Sequence, residues 1–142
     1  MINVKELSVG NWVSCEDNGK RNYQILAINK DSAWLDKEGR KVYAQDMLKP
    51  IEITPEILEK NGFVNDFYVD EAVADYHFVR LEGYSLHIKE LQQGGDDALV
   101  TYCNGSVNIA TELHGEINKE IHFVHQLQNA LTLCGINKEI EL

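Results

Sequence analysis

Over residues 1–53, short blocks of apolar positions, most of them set at every second place, are separated by polar stretches that carry Asn, Asp or Gly. The blocks "GNWVSC" (10–15), "NYQILAI" (22–28), "SAWLD" (32–36), "KVYA" (41–44) and "KPIEI" (49–53) predict five short strands. Asn18-Gly19 predicts a tight hairpin between the first two, because both residues tolerate positive φ, and Gly39 sits in the turn before the fourth. "QDML" (45–48) predicts one tight helical turn, and Pro50 suits the first residue of an edge strand. Five short strands with the last two split by a helical turn is the layout of a small SH3-like barrel.

The periodicity then changes. "TPEILEKNGF" (54–63) predicts a short helix with both ends marked. Thr54 caps it, Pro55 takes its first position, and Gly62 ends it in the left-handed conformation. Further strands are predicted at 66–70, 75–82, 84–91, 98–103 and 106–111, with turns at Glu82-Gly83 and Asn104-Gly105. "QQGGDD" (92–97) reads as a flexible connection. In "KEIHFVHQLQNALTLCG" (119–135), Phe123, Val124, Leu127, Ala130, Leu131 and Cys134 fall on one helical arc. His122, His125, Gln126, Gln128, Asn129 and Thr132 cover the opposite arc, with Leu133 its one apolar member. The helix begins at Asn118 or near Val124, since "EIHF" reads equally as the end of a strand, and "INKEIEL" (136–142) predicts a last strand.

The expected fold class is therefore α+β. An N-terminal SH3-like small β-barrel spans 1–53; an acidic α+β domain spans 54–142 and holds the short helix, the antiparallel strands, the C-terminal amphipathic helix and the last strand.

Charge sharpens this division. Residues 1–53 hold eight Lys/Arg and eight Asp/Glu, so the whole net charge of −10 belongs to 54–142. An acidic half repels phosphate backbones, and Lys20, Arg21, Arg40 and Lys41 amount only to a weak basic rim, so direct nucleic-acid binding is not expected. No apolar run approaches the ~20 residues of a membrane helix, and the first residues lack the form of a signal peptide. A cytoplasmic protein without membrane contact is expected.

Candidate chemistry is sparse. Cys15, Cys103 and Cys134 are scattered, which suits neither a disulfide framework nor a zinc site. His122 and His125 can share one side of a helix, but no HExxH pattern accompanies them, and His77, His87 and His114 are distant in sequence. No GxSxG, no local Cys-His signature and no P-loop is present, and Asp96-Asp97 reads as a solvated turn. No cofactor and no enzymatic activity are expected. Two interaction surfaces remain. Trp12, Tyr23, Trp34 and Tyr43 fall in four successive strands, where such residues fill a small core or line a peptide groove. The arc of His122, His125, Gln126 and Asn129 is rich in carboxamides and imidazoles but poor in full charges, which suits hydrogen bonding to a sheet edge, the barrel or a partner.

Three motifs carry a resemblance. "LSVGNWV" (7–13), "ITPEILEKNGF" (53–63) and "FVHQLQNALTLCG" (123–135) occur in the order seen in a family of small uncharacterised proteins from Bacteroides-type bacteria and their phages or mobile elements. "VHQLQN" (124–129) is the most specific part, and "ALTLCG" departs from the more aromatic ending typical there. The resemblance implies an intracellular protein of a mobile element or its host, and it assigns no catalytic residue. The expectation from residues and resemblance together is a non-enzymatic protein-binding or adaptor protein whose partner is another protein. The alternative is an acidic nucleic-acid mimic, whose carboxylates stand in for phosphates and occupy a host DNA-binding protein.

Overall fold

The computed structural model describes residues 2–15, 21–36, 42–72, 77–88, 98–103, 105–111, 115–136 and 138–142; Cys103 and the strand residues within 65–99 and 110–119 are described by backbone and strand register. The expectations for Asn18-Gly19, Lys20, Gly39, Arg40, Lys41, the 92–97 connection, Asn104 and His114 lie outside the described residues. The chain divides into two compact units, Met1–Ile53 with Phe123–Leu133, and Thr54–His122 with Cys134–Leu142.

The first unit opens with a 3-10 turn, Val4–Glu6, capped by the Asn3 side chain. Strands β1 (Trp12–Cys15), β2 (Arg21–Ile28), β3 (Ser32–Leu35), β4 (Val42–Ala44) and β5 (Leu48–Lys49) form a curled antiparallel half-barrel in the order β4-β3-β2-β1-β5. A 3-10 turn, Gln45–Met47, joins β4 to β5 as expected. The pairing of β2 with β3 shifts register between Ile25 and Ala27, a bulge that adds local bend and twist to the strand. Alternation places Val13, Cys15, Ile25, Ala33, Leu35, Tyr43 and Leu48 inside, joined by Ile2, Val4 and Leu7 from the N-terminal segment. The fifth strand is shorter than expected. It ends at Lys49, before Pro50, which has no N–H for a ladder; the chain beyond instead pairs Glu52 with Phe123 in an isolated bridge.

In the second unit, α1 (Pro55–Lys60) has the expected ends. Thr54 Oγ1 accepts from the Ile57 N–H at 3.3 Å, and Gly62 has φ 83°. The Gly62 and Phe63 N–H groups donate to the Glu59 and Leu58 carbonyls, a Schellman closure whose Leu58 and Phe63 side chains are both buried. The strands β6 (Val64–Ala72), β7 (His77–Ile88), β8 (Ala98–Cys103), β9 (Ser106–Thr111) and β10 (Gly115–Glu120) then form an antiparallel meander in sequence order.

Three expectations are corrected here. The chain does not turn at Glu82-Gly83: β7 runs straight through, with Gly83 opposite Asp66, because nine consecutive pairings with β6 outweigh one glycine. Strand β10 carries a single apolar residue, Ile117, and so gave no alternation to read; among the described residues it stands at the end of the sheet, paired with β9. Residues 136 and 138–142 are not a strand. Their backbone is held by a side chain instead. Asn61 Nδ2 donates to the Glu141 carbonyl at 2.7 Å and to the Ile57 carbonyl at 2.8 Å, while its Oδ1 accepts from the Glu141 N–H at 2.7 Å.

The Asn61→Ala variant removes these three hydrogen bonds, two of which hold the Glu141 backbone, so it should destabilise the second unit by about 2–3 kcal/mol. Denaturant unfolding with hydrogen exchange at the Glu141 amide measures this, and unaltered stability would show that the tail is held otherwise.

Candidate functional site

Helix α2 (Val124–Leu133) begins later than Asn118, which settles the alternative in favour of the shorter helix. Gln126, at the third helical position, turns its Oε1 back to accept from the Phe123 N–H at 3.2 Å, one half of a capping box. The Val124 N–H donates to the Ile51 carbonyl at 2.9 Å. His122 precedes the helix and belongs to the second unit, where its ring lies over Gly105. It lies outside the helix and therefore does not share a helical side with His125.

The helix groups with Met1–Ile53 in the first unit. Val124, Leu127, Ala130 and Leu131 are buried, as the apolar arc predicts, and Leu133 is 74% exposed. The opposite arc is mostly turned inward as well. Gln128 Oε1 accepts from the Trp12 N–H at 2.9 Å, and its Nε2 donates to the Gly10 carbonyl at 3.1 Å. Strand β5 reaches β1 only at Ser14 and Cys15, so Trp12 receives from a carboxamide the acceptor that a strand neighbour would supply. Asn129 Oδ1 accepts from Asn11 Nδ2 at 3.0 Å, and Asn129 Nδ2 donates to the Glu6 carbonyl at 2.8 Å. Asn11, itself buried, also accepts from the Ser8 N–H at 2.8 Å. Gly10 makes this approach possible with φ 88°, a conformation side-chain-bearing residues avoid.

Burying three aliphatic side chains contributes roughly 5–9 kcal/mol, against about 1 kcal/mol for each carboxamide hydrogen bond. The apolar arc thus holds the helix down, and the carboxamides set its rotation and register.

One polar residue of α2 has no such partner. His125 is 1% exposed, and neither ring nitrogen has a hydrogen-bond partner. Its ring stacks on that of Phe123, with centroids 6.0 Å apart and planes within 8°. Burial pushes its pKa below the ordinary 6.5, opposed by the Glu6 carboxylate. His125 lines a cleft of about 240 Å³ with Ile2, Asn3, Glu6, Gln45, Pro50 and Phe123. Nothing in the sequence pattern marked this cleft, because its walls come from three separate stretches; Glu6 and Gln45 carry no motif.

The barrel aromatics do not form one surface. Tyr43 is in the core, Tyr23 packs partly buried against it, and Trp12 is half-buried. Trp34 alone of the four is exposed, at 39%. It lies in register with Ala27 on β2 and Val42 on β4, and both neighbours are exposed. Among the described residues no group of three or more His, Cys, Asp or Glu is placed to hold a metal ion, and no helix is long and apolar enough to cross a membrane. No protein-family model, curated protein or solved structure matches the chain.

Gln128→Ala should cost about 1–3 kcal/mol, since it removes the acceptor of the Trp12 N–H and one of the two carboxamide donors to the Gly10 carbonyl, the other being Gln24. Hydrogen exchange at the Trp12 amide should accelerate about tenfold or more; an unchanged rate would remove Gln128 from its docking role.

A lowered imidazole pKa in the folded state means that the unfolded chain binds the proton more readily. Stability linked to His125 is present above pH 6.5 and is lost as pH falls below it. In His125→Gln, unfolding free energy should depend less on pH in this window than in the parent protein, by at most about 1.4 kcal/mol per pH unit. Parallel profiles for the two proteins would contradict it.

Proposed function

We propose that the protein is a non-enzymatic protein-binding adaptor of a phage or mobile element, that its first unit is an SH3-like barrel, and that the outer face of β2, β3 and β4 receives the partner. The strand order β4-β3-β2-β1-β5, with a 3-10 turn between the last two strands, supports the barrel reading. The mobile-element context rests on the resemblance carried by "GNWV", "TPEILEKNGF" and "VHQLQN".

One observation carries the binding surface. Trp34, Val42 (46% exposed) and Leu26 (40% exposed) place large apolar side chains in solvent on three adjacent strands, with Ala27 in register beside Trp34. Tryptophan is among the residues most enriched at the energetic centres of protein interfaces. A tryptophan that could fill a small core but stands outside it is better explained by a partner than by the fold. Strand β4 is also an edge, so a partner can meet backbone groups and this apolar strip together. Of the other expected interface residues, Asn129 and Gln126 are engaged within the unit, and Tyr43 and His125 are buried.

The test is affinity capture from host lysate with nuclease and a high-salt wash, comparing the parent protein with Trp34→Ala and Val42→Asp. The parent should retain a stoichiometric protein. Trp34→Ala should weaken capture by about 2 kcal/mol, or roughly thirtyfold in affinity, with an unchanged unfolding midpoint. Equal capture by the variants would remove this face from the proposal. A basic DNA-binding protein lost on raising salt would put the acidic-mimic reading in its place.

A further inference from the structure

We propose that the cleft beside His125 binds a small organic cation, a primary ammonium or guanidinium group on a short apolar stem. It is a different surface from the sheet face around Trp34, and it stands on its own observations.

The first is the unpaired imidazole. A buried neutral histidine carries one N–H donor and one lone pair, and leaving both without partners is costly. Native interiors rarely tolerate that without water or a ligand. Here the ring lies in the wall of an opening; its nitrogens are covered, and a turn of the ring would present one to a bound group. The second is charge. Glu6 is the one ionised side chain of the wall; Lys5, its neighbour in the same 3-10 turn, does not line the cleft. The third is the rest of the wall. Gln45 offers a carbonyl acceptor, and Phe123, Pro50 and Ile2 are apolar.

These features discriminate among ligand classes. An anion would face the Glu6 carboxylate with no cationic side chain in the wall to offset it. A transition metal would find one imidazole and one carboxylate, with Asn3 and Gln45 as weak further ligands, short of the three or four strong ones such ions take. A purely apolar molecule would leave the carboxylate and the imidazole unpaired. An ammonium or guanidinium has donors only. It meets the Glu6 carboxylate, the imidazole lone pair and the Gln45 carbonyl, and its stem lies on Phe123 and Pro50, with the aromatic ring adding a cation–π contribution. A cleft of about 240 Å³ is on the scale of one long side chain or a small free amine.

The experiment titrates the full chain with n-butylammonium and with ethylguanidinium, using n-butanol and butyrate as matched controls, and follows imidazole and backbone amide NMR signals. Saturable shifts at His125 and Phe123 are expected with both cations and with neither control. Glu6→Gln should weaken binding at least tenfold. Its carboxylate is exposed and the Asn129 contact uses the backbone carbonyl, so the variant should fold as the parent does. Trp34→Ala should leave cation binding unchanged, which separates this proposal from the adaptor reading. A further arm uses short blocked peptides containing a single Lys or Arg. Tighter binding of these than of the free amines identifies a partner's side chain as the source; weaker binding identifies a free amine. Absence of a saturable response to any cation, equal binding by Glu6→Gln, or an equal response to butanol would overturn the proposal and leave the cleft to water.

Discussion

The docking of the Gln128 and Asn129 carboxamides onto residues 6–12 is the contact on which the first unit depends. A helix that rested on apolar packing alone could rotate or slide by a residue at modest cost, since Val124, Leu127, Ala130 and Leu131 present similar aliphatic surface. Two carboxamides that each satisfy a donor and an acceptor admit no such freedom. They also explain why residues 123–133 contain no charged side chain. An ionised group turned toward the barrel would bring a desolvation cost of several kcal/mol, whereas a carboxamide exchanges water for backbone at little net cost. The helix thus belongs by chemistry, as by contact, to the part of the chain with zero net charge, and the net charge of −10 is left to the other unit.

Setting the rotation of α2 by Gln128 and Asn129 also sets the position of His125. Residues three and four apart share a helical face, so His125 must follow Gln128 and Asn129 inward, one turn earlier, beside Glu6. The buried imidazole is then a consequence of the docking and not an independent choice of the core. Its ring then stacks on that of Phe123 and lines the cleft that results.

How much of this was legible depended on whether an element carries its own signal. The barrel strands alternate and the 54–63 helix is capped at both ends, so β1 to β4 and α1 emerge within a residue or two of expectation. Strand β10 and the 136–142 tail could not be read, because a polar edge strand shows no alternation while a tail clipped by Asn61 imitates one. The absence of full charges on the α2 polar arc pointed correctly to hydrogen bonding, but not to its partner. The periodicity of a helix shows which residues share a face and not which of two faces is covered; here both are. Residues 123–133 follow the acidic segment in sequence, and only tertiary hydrogen bonds reassign them.

The most specific motifs turn out to be mutual. "GNWV" and "VHQLQN" are two halves of one set of hydrogen bonds, and Asn61 of "TPEILEKNGF" is half of another, with Glu141. Residue types that look functional because they are unusual, carboxamides on a helix and a glycine-asparagine pair before a strand, are here the requirements of satisfying buried backbone groups. That changes where function must be sought. Once Gln126, Gln128 and Asn129 are accounted for by capping and docking, two features remain: the exposed Trp34 and its neighbours, which carry no motif, and His125, the one polar member of "VHQLQN" whose side chain has no hydrogen-bond partner. A chain under selection for folding alone would have replaced the first with a polar residue and the second with an aliphatic or a paired one.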